Sequence, residues 1–425
     1  MSAAPSDSGP LSVGAVPPVR EVPPVGEVPS VGDLLGQIAE IGRDRVGGGY
    51  RRLTLTPDDA ELGAWFAEAC AVRGLDVTTD RCGNQWAWWG DPDAAVAAGR
   101  PGVVTGSHLD SVPNGGAYDG PLGVAAALVA VDLLRARGFT PRRPVGVVRF
   151  LDEEGARFGL ACSGSRLLTG AVAPETVLAL QDDDGITYAE AVVRAGRAPA
   201  EIGADPQAVR RIGRFIEVHV EQGRALATDE LASALGVGSA IRPHGRWRLD
   251  LLGRGDHAGT TLLVDRLDPM LDLARFITCV RAAAERHGGL ATVGKVRVHP
   301  NAVNAVPSAV TAWLDARADG EEQVTAIVAA LHAEGFELTR ESWTGPTPFA
   351  PGLTAHLAHL AGDVPVLPTG AGHDAGVLAQ AGIETAMIFA RNPTGISHAP
   401  EEFATPADCQ QAAGALAAAV EDLAG

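Results

Sequence analysis

An α/β protein, with a largely parallel mixed sheet interrupted by an inserted ferredoxin-like α+β unit, is the fold this sequence predicts, and three observations predict it. From about residue 33 short apolar segments alternate with amphipathic helical ones, the rhythm of strands joined by crossover helices. Between about 232 and 342 the rhythm changes to β-α-β-β-α-β. Near Val364 the first rhythm returns, so the second unit reads as inserted into the first. The length, 425 residues, also exceeds what one core ordinarily spans.

Taken in order, residues 1–32 carry a degenerate repeat, Val16-Pro-Pro-Val, Val22-Pro-Pro-Val and Val28-Pro-Ser-Val. Its prolines remove backbone donors and favour polyproline II, so a disordered Pro-rich tail is expected. A helix around Asp59 to Arg73 leads to a strand at Leu75 to Thr79, and Gly102-Val-Val-Thr reads as a short buried strand. Helical Gly123 to Arg137 and the apolar strand Val145 to Leu151 follow. In the inserted unit, strands at Arg246 to Leu252, Ala291 to His299, Ala309 to Ala316 and Phe336 to Glu341 enclose helices at Pro269 to Arg286 and Glu321 to Glu334.

Composition narrows the functions open to such a chain. Acidic residues outnumber basic ones by 52 to 34, a formal charge of -18, and Lys and Arg do not gather into a patch. Nucleic acid and anionic membranes are therefore excluded as expected partners. The N-terminus shows no basic segment followed by an apolar run, and no stretch approaches the roughly 20 apolar residues of a membrane helix. Cys70, Cys82, Cys162, Cys279 and Cys409 lie far apart with no CxxC pairing, which is neither a disulfide framework nor a thiolate zinc site. A soluble, cytoplasmic protein with reduced thiols is expected.

Residues able to do chemistry gather in four short segments. Thr105-Gly-Ser-His-Leu-Asp follows the buried strand at Val103, and strand ends in α/β sheets open onto a crevice. His108 offers an imidazole, and Asp110, two residues on, is placed to hydrogen-bond its other ring nitrogen. The Gly115-Gly116 turn lets the chain fold back, so that the carboxylate of Asp119 can bridge two cations. The strand ending at Leu151 runs into Asp-Glu153-Glu154, where adjacent acids point opposite ways: one can bind metal while the other faces substrate as a base. In Phe215-Ile-Glu-Val-His-Val-Glu-Gln, alternation puts Glu217, His219 and Glu221 on one side and Gln222 on the other. The fourth segment, Gly395-Ile-Ser-His398, bears a histidine on a turn. Any one segment reads equally well as a polar loop. Together, three imidazoles and two carboxylates suit two cations that share a carboxylate about 3.5 to 4 Å apart.

These motifs resemble the amidase, hydantoinase and carbamoylase branch of the M20 metallopeptidase superfamily over about residues 33 to 425. The resemblance implies a zinc-peptidase-like catalytic domain at 33–231 and 343–425, with 232–342 as a lid and dimerisation domain of a homodimer. It implies two divalent metal ions per subunit, Zn or Mn, with Co or Ni also compatible with mixed N/O ligands. His108 and His219 would hold the first ion, Glu154 and His398 the second, and Asp119 would bridge them. Glu153 would be the general base, taking a proton from the attacking water and passing it to the leaving nitrogen. His257, in Gly255-Asp-His257-Ala-Gly-Thr-Thr, would stabilise the oxyanion, from its own subunit or from the partner's side. Asn304 and Arg317 would clamp the substrate, the guanidinium matching a carboxylate bidentately. Gln222 and Gly370-Ala-Gly-His373-Asp-Ala would line the pocket, with His373 touching substrate or supporting the residues that do.

The sequence departs from the family's wording in three places. His257 is followed by Thr260-Thr-Leu-Leu-Val-Asp-Arg-Leu-Asp where Thr-Thr-Pro-Met is usual, Ala390-Arg-Asn-Pro-Thr-Gly precedes the last histidine segment, and Arg224 stands at a common proline site. These changes touch lid and pocket, so they bear on the substrate more than on the reaction. Gly83-Asn-Gln-Trp-Ala-Trp-Trp and Asp183-Asp-Gly-Ile-Thr resemble chains that hydrolyse allantoate, which makes allantoate the first substrate expected. N-carbamoyl-L-amino acids, 3-ureidopropionate and N-formyl amino acids such as N-formylglutamate follow; all are small-molecule carboxylates with a planar N-acyl group. Two readings differ in kind. A metallopeptidase fits the HxEQG and GAGHDA segments less well, and a metal-dependent binding dimer has no use for a second acid beside Glu154.

Overall fold

The computed structural model describes residues 28–425, so the expected tail lies outside the described residues except at its end. There Ser30 caps the helix Val31–Gln37: its hydroxyl accepts from the Asp33 amide, and the Asp33 carboxylate accepts from the Ser30 amide. Folded structure thus begins ahead of the boundary expected at 33, because Val31 and Leu34 are buried in the first core.

The strands are β1 (Val77–Thr79), β2 (Gln85–Trp89), β3 (Gly102–His108), β4 (Val145–Phe150), β5 (Ile212–Val220), β6 (Leu235–Ile241), β7 (His244–Leu252), β8 (Gly289–His299), β9 (Ala309–Ala318), β10 (Leu338–Thr344), β11 (Thr347–Pro348), β12 (Val366–Thr369) and β13 (Glu384–Ala390). Nine of them form one sheet in the order β1-β2-β4-β3-β5-β13-β6-β11, with β12 also on β6. Its centre, β4-β3-β5-β13, is parallel, while β1/β2, β2/β4 and β13/β6 are antiparallel. This is the largely parallel mixed sheet the pattern predicts. Successive residues divide between two cores on its two faces: Val103, Val147 and Ile216 enter one, Val104, Val148 and Phe215 the other. With both faces covered, strands β3 and β4 are buried throughout and open on apolar segments, Val103-Val104 and Val145 to Val148, before polar residues appear towards their C-terminal ends. The helix Pro121–Ala136 joins them; its proline sits in the first turn, where no N–H partner is needed.

The remaining strands form a four-stranded antiparallel sheet in the order β10-β7-β9-β8, packed on the helices Pro269–His287 and Glu321–Ala333. Chain order β-α-β-β-α-β with the first and third strands central is the ferredoxin-like arrangement expected. On β9, Val310, Ala312, Leu314 and Ala316 pack on the helices, while Thr311, Trp313, Asp315 and Arg317 face away. The edges of this unit differ from the expected 232 and 342. Strand β6 pairs with β13 and places Val237 in the large core, so residues 232–241 belong with the first sheet, and β10 extends to Thr344. A short run of small and apolar residues carries no mark of which sheet it joins. Among the described residues no helix is long and apolar enough to cross a membrane.

Strand β4 is pinned by a buried ion pair. Arg149 meets Asp59 of the helix Pro57–Ala71 and donates to Gln85 Oε1 at 3.0 Å. Removing the guanidinium leaves a buried carboxylate without its partner. Arg149→Ala is expected to cost about 3–5 kcal/mol of stability, read as a fall in the urea midpoint of the purified protein.

Candidate metal centre

Strands β4, β3, β5 and β13 are adjacent and parallel, so their C-terminal ends open on one edge of the sheet. Each sends one of the four segments there. Strand β3 ends in His108, β4 leads into Glu153 and Glu154, His219 lies next to the end of β5, and β13 leads into the turn bearing His398. Asp119 sits in the loop between β3 and the helix Pro121–Ala136. The following Gly120 has φ +87°, and a Cβ there would strike the His108 ring, so glycine lets the loop close over that imidazole.

Asp119 lies at the centre. Its Oδ1 is 3.6 Å from His108 Nε2 and 3.2 Å from His219 Nε2, and its Oδ2 is 3.3 Å from His398 Nε2. Glu154 Oε2 lies 3.5 Å from the same His398 nitrogen. Two groups result, His108–Asp119–His219 and Asp119–Glu154–His398, whose donor atoms lie within 4.8 Å of one another. The tautomers follow from the backbone. His108 Nδ1 is 3.1 Å from the Asp110 carbonyl and His219 Nδ1 is 2.9 Å from the Val220 carbonyl. A carbonyl only accepts, so each Nδ1 carries the proton and a neutral ring leaves its Nε2 lone pair bare. Both Nε2 atoms, and Glu154 Oε1, are buried without a hydrogen-bond partner. Buried polar atoms are rarely left so, and bare imidazole nitrogens around a shared carboxylate suit a divalent cation.

Electrostatics points the same way. Burial drives Glu153 well above the ordinary carboxylate range, opposed by His108 and reinforced by Glu154, Asp374 and Asp110. Burial and then Asp119 push Glu154 up to about 7, and burial and then Glu217 push Asp374 up to about 8. Burial also opposes the charge of Asp119, yet His108, His219 and His398 hold it well below the usual range. His398 rises to about 9, chiefly through its bond to Asp119. More acids crowd this edge than the protein's own cations neutralise, and added divalent ions would remove the imbalance.

The other expected residues fall in different places. Asp110 does not bond the His108 ring with its carboxylate, whose oxygen stays 3.5 Å from Nδ1. That carboxylate accepts the amides of Glu153 at 3.2 Å and Glu154 at 3.1 Å, tying the two loops together. Gln222 and Glu221 depart from the expected alternation because β5 stops at Val220. Glu221 turns back to accept the Ala225 and Leu226 amides, while Gln222 Nε2 donates to Asp119 Oδ2 at 2.8 Å. Glu217 is engaged by Ser107 Oγ at 2.7 Å and the Ala375 amide at 3.1 Å, so its grouping with His219 and His373 offers a carboxylate already committed. His373 is buried with both ring nitrogens unpartnered, its ring centre 4.5 Å from that of His219; burial and His219 hold its pKa far down, so the ring is neutral.

Arg317 differs most from expectation. Its Nε and Nη2 grip Asp315 at 2.6 and 3.0 Å and its Nη1 donates to the Gly370 carbonyl at 2.7 Å, so the fork expected for a substrate carboxylate holds an internal one. His257 and Asn304 are exposed neighbours, with the Ala258 amide on the Asn304 carbonyl at 3.0 Å, and among the described residues neither joins the cluster. Sequence reasoning passes over three residues that touch it. Cys162 Sγ donates to Glu153 Oε1 at 3.3 Å, Ser397 Oγ lies 3.0 Å from Asp119 Oδ2, and Glu402 accepts the Asp119 amide at 2.9 Å. The available signal for the last two is closeness to His398 in the chain.

Such a fold and site define a metal-using hydrolase, and known proteins agree. A profile of the peptidase family M20/M25/M40 matches residues 104–422. The chain is 35% identical over 399 residues to an N-carbamoyl-L-amino acid amidohydrolase of Geobacillus stearothermophilus, covering 88% of this chain and 93% of that one. It is 31% identical over 408 residues to the allantoate amidohydrolase of Escherichia coli K12, covering 92% and 97%. Its structure matches a crystal structure of a hydantoinase/carbamoylase family amidase from Burkholderia vietnamiensis with a TM-score of 0.85 at 31% identity, covering 93% and 96%. The chain belongs to the M20 peptidase family, and it is an amidohydrolase acting on carbon–nitrogen bonds other than peptide bonds. Family and residue groups together indicate divalent metal use.

Because one carboxylate orders the amides of both Glu153 and Glu154, Asp110→Ala is expected to lower metal affinity or turnover about 10–100-fold. Chelator competition and steady-state kinetics on the purified variant check this.

Proposed function

We propose that the chain is a dinuclear amidohydrolase that cleaves the C–N bond of a linear ureido group in a carboxylate-bearing substrate, working as a cytoplasmic homodimer. The observation that carries the reading is a buried acid, Glu153, beside a carboxylate shared by two donor groups and belonging to neither group itself. His108 and His219 would hold one ion and Glu154 and His398 the other, with the Asp119 carboxylate available to both. Bound there, Zn or Mn would polarise the scissile carbonyl and make water acidic enough to attack near neutral pH.

Glu153 is the proton carrier. Its Oε2 lies 3.8 Å from His108 Nε2, at the inner face of the cluster, and the Cys162 thiol steadies its other oxygen. Burial favours the protonated form, which keeps a proton until the leaving nitrogen accepts it, and His108 beside it favours the ionised form that takes that proton from water. Gln222, with Oε1 free, and neutral His373 supply an acceptor and a donor for the ureido group. Arg317, already steadied by Asp315, meets the substrate carboxylate with its remaining N–H groups.

Allantoate and N-carbamoyl-L-amino acids both join a ureido group to a carboxylate, and the Escherichia coli and Geobacillus relatives carry those names. Allantoate is the first substrate to test, with N-carbamoyl-L-amino acids, 3-ureidopropionate, N-formylglutamate and a dipeptide beside it. Turnover of the dipeptide alone would overturn the reading. Glu153→Gln is expected to keep its metal yet lose at least about 100-fold in kcat. Metal loss in that variant, or near-normal turnover, would remove Glu153 from its role.

Support for the dimer comes from the second sheet. Among the described residues strand β8 pairs with β9 alone, leaving an open edge, and Leu252, Leu262, Leu263, Val264, Leu271 and Val303 of the same unit are exposed. A second copy is the commonest cover for such a surface. It would also give exposed His257 and Asn304 a site to act on. Light scattering on the purified chain is expected to give twice the monomer mass; a monomer with full activity would refute both points.

A further inference from the structure

We propose that Glu402 is a positioning residue for the bridging carboxylate: it locks the Asp119 loop against the Ser397-His398 turn and so fixes the spacing of the second cation's donor atoms. The inference rests on Asp119 and His398 being metal ligands, as proposed above. Asp119 and His398 come from distant parts of the chain and must keep Oδ2 and Nε2 about as close as the 3.3 Å seen here. Neither segment belongs to a helix or strand, so neither has a ladder to hold it.

Glu402 supplies the missing link. It is only 4% exposed, and its Oε1 accepts two amides of the other loop, those of Tyr118 and Asp119, each at 2.9 Å. Its Oε2 lies 2.9 Å from Ser397 Oγ, which lies 3.0 Å from Asp119 Oδ2. The contacts form a closed ring: Asp119 amide, Glu402 carboxyl, Ser397 hydroxyl, Asp119 carboxylate. Apart from the contact between His398 and Asp119 themselves, the hydrogen bonds joining the two segments all run through Glu402 or Ser397. The loop makes room for this, since a Cβ at Gly116 would strike the Glu402 carboxyl group.

The geometry separates three substitutions. In Glu402→Gln the amide oxygen can accept the two backbone N–H groups while Nε2 donates to Ser397 Oγ, whose own proton then goes to Asp119 Oδ2. Every link of the ring survives. Glu402→Ala leaves two amides unpaired and the two segments uncoupled. Ser397→Ala breaks one link of the ring and leaves the amide contacts.

The test uses the full chain and zinc. Zinc per chain and the affinity of each ion are measured by competition with a chromophoric chelator in wild type and the three variants, together with kcat and KM. Glu402→Ala is expected to weaken the less tightly held zinc about 10–100-fold, the usual effect of removing a group that orients a ligand. Glu402→Gln should lie closer to wild type than to Glu402→Ala, and Ser397→Ala between them. Losses should fall on kcat, with KM for the substrate little changed. The thermal midpoint of each variant stripped with chelator reports folding, and if Glu402→Ala does not fold, Ser397→Ala decides. Zinc affinities equal to wild type in Glu402→Ala or Ser397→Ala, or a Gln variant as weak as the Ala one, would overturn the inference while leaving the metal reading intact. A wild-type chain that takes up no zinc would overturn the metal reading first and this inference with it.

Discussion

The Asp119 carboxylate meets His108 and His219 through one oxygen and His398 through the other, and this is possible only where separate chain segments reach one edge of the sheet. The parallel order β4-β3-β5-β13 brings them there. Parallel neighbours need crossovers, and the crossover between β3 and β4 is the buried helix Pro121–Ala136, whose entry loop carries Asp119 itself. The same connection that makes the sheet parallel therefore delivers the carboxylate. Its cost is close quarters: Gly120 has to pass the His108 ring and Gly116 has to pass Glu402, and glycine stands at both of these approaches.

A site built this way is electrostatically unfinished. Glu153, Glu154, Asp374 and Glu402 all sit above their ordinary pKa range, with burial as the leading cause, opposed only in part by imidazoles at Glu153 and Glu154 and by hydrogen bonds at Asp374 and Glu402. Acids buried without cations destabilise a fold, so such a cluster persists where its charge is put to use. The bare Nε2 atoms of His108 and His219 say the same in hydrogen-bond terms. Two independent deficits, of positive charge and of bonding partners, coincide at Asp119, and a divalent ion makes good both.

How much of this was legible depended on whether a residue's partner lay near it in sequence. His108, Glu153, His219 and the strands that carry them could be read because apolar runs end where the polar residues begin, and a strand end is a place. The β-α-β-β-α-β unit was legible from period alone. Strand β6 was not, because pairing with β13 is a tertiary choice that small apolar residues do not encode. Gln222 was assigned by extending strand alternation past Val220, where the backbone has already turned. The Asp315 grip on Arg317 did leave a signal, since two residues apart on one strand means the same face, but a guanidinium looks equally available to any carboxylate until the fold is seen. Glu402 had none beyond its closeness to His398.

The two sheets divide the work unequally. Every residue proposed to hold metal or carry a proton lies at the edge of the large sheet, whereas His257, Asn304 and Arg317 lie in or beside the small one. Arg317 touches both, through Asp315 on its own strand and the Gly370 carbonyl opposite, and thus fixes one point of contact between them. His257 and Asn304 have no such tether and stand exposed beside an unpaired strand edge. Substitutions in the small sheet can therefore change its surface without moving the cluster around Asp119. The departures from the family wording after His257 fall in that freer region, while the donor atoms facing Asp119 are all retained. On the proposed reading, chemistry is held by one sheet and recognition by the other, an arrangement in which the bond cleaved stays constant as the molecule carrying it changes.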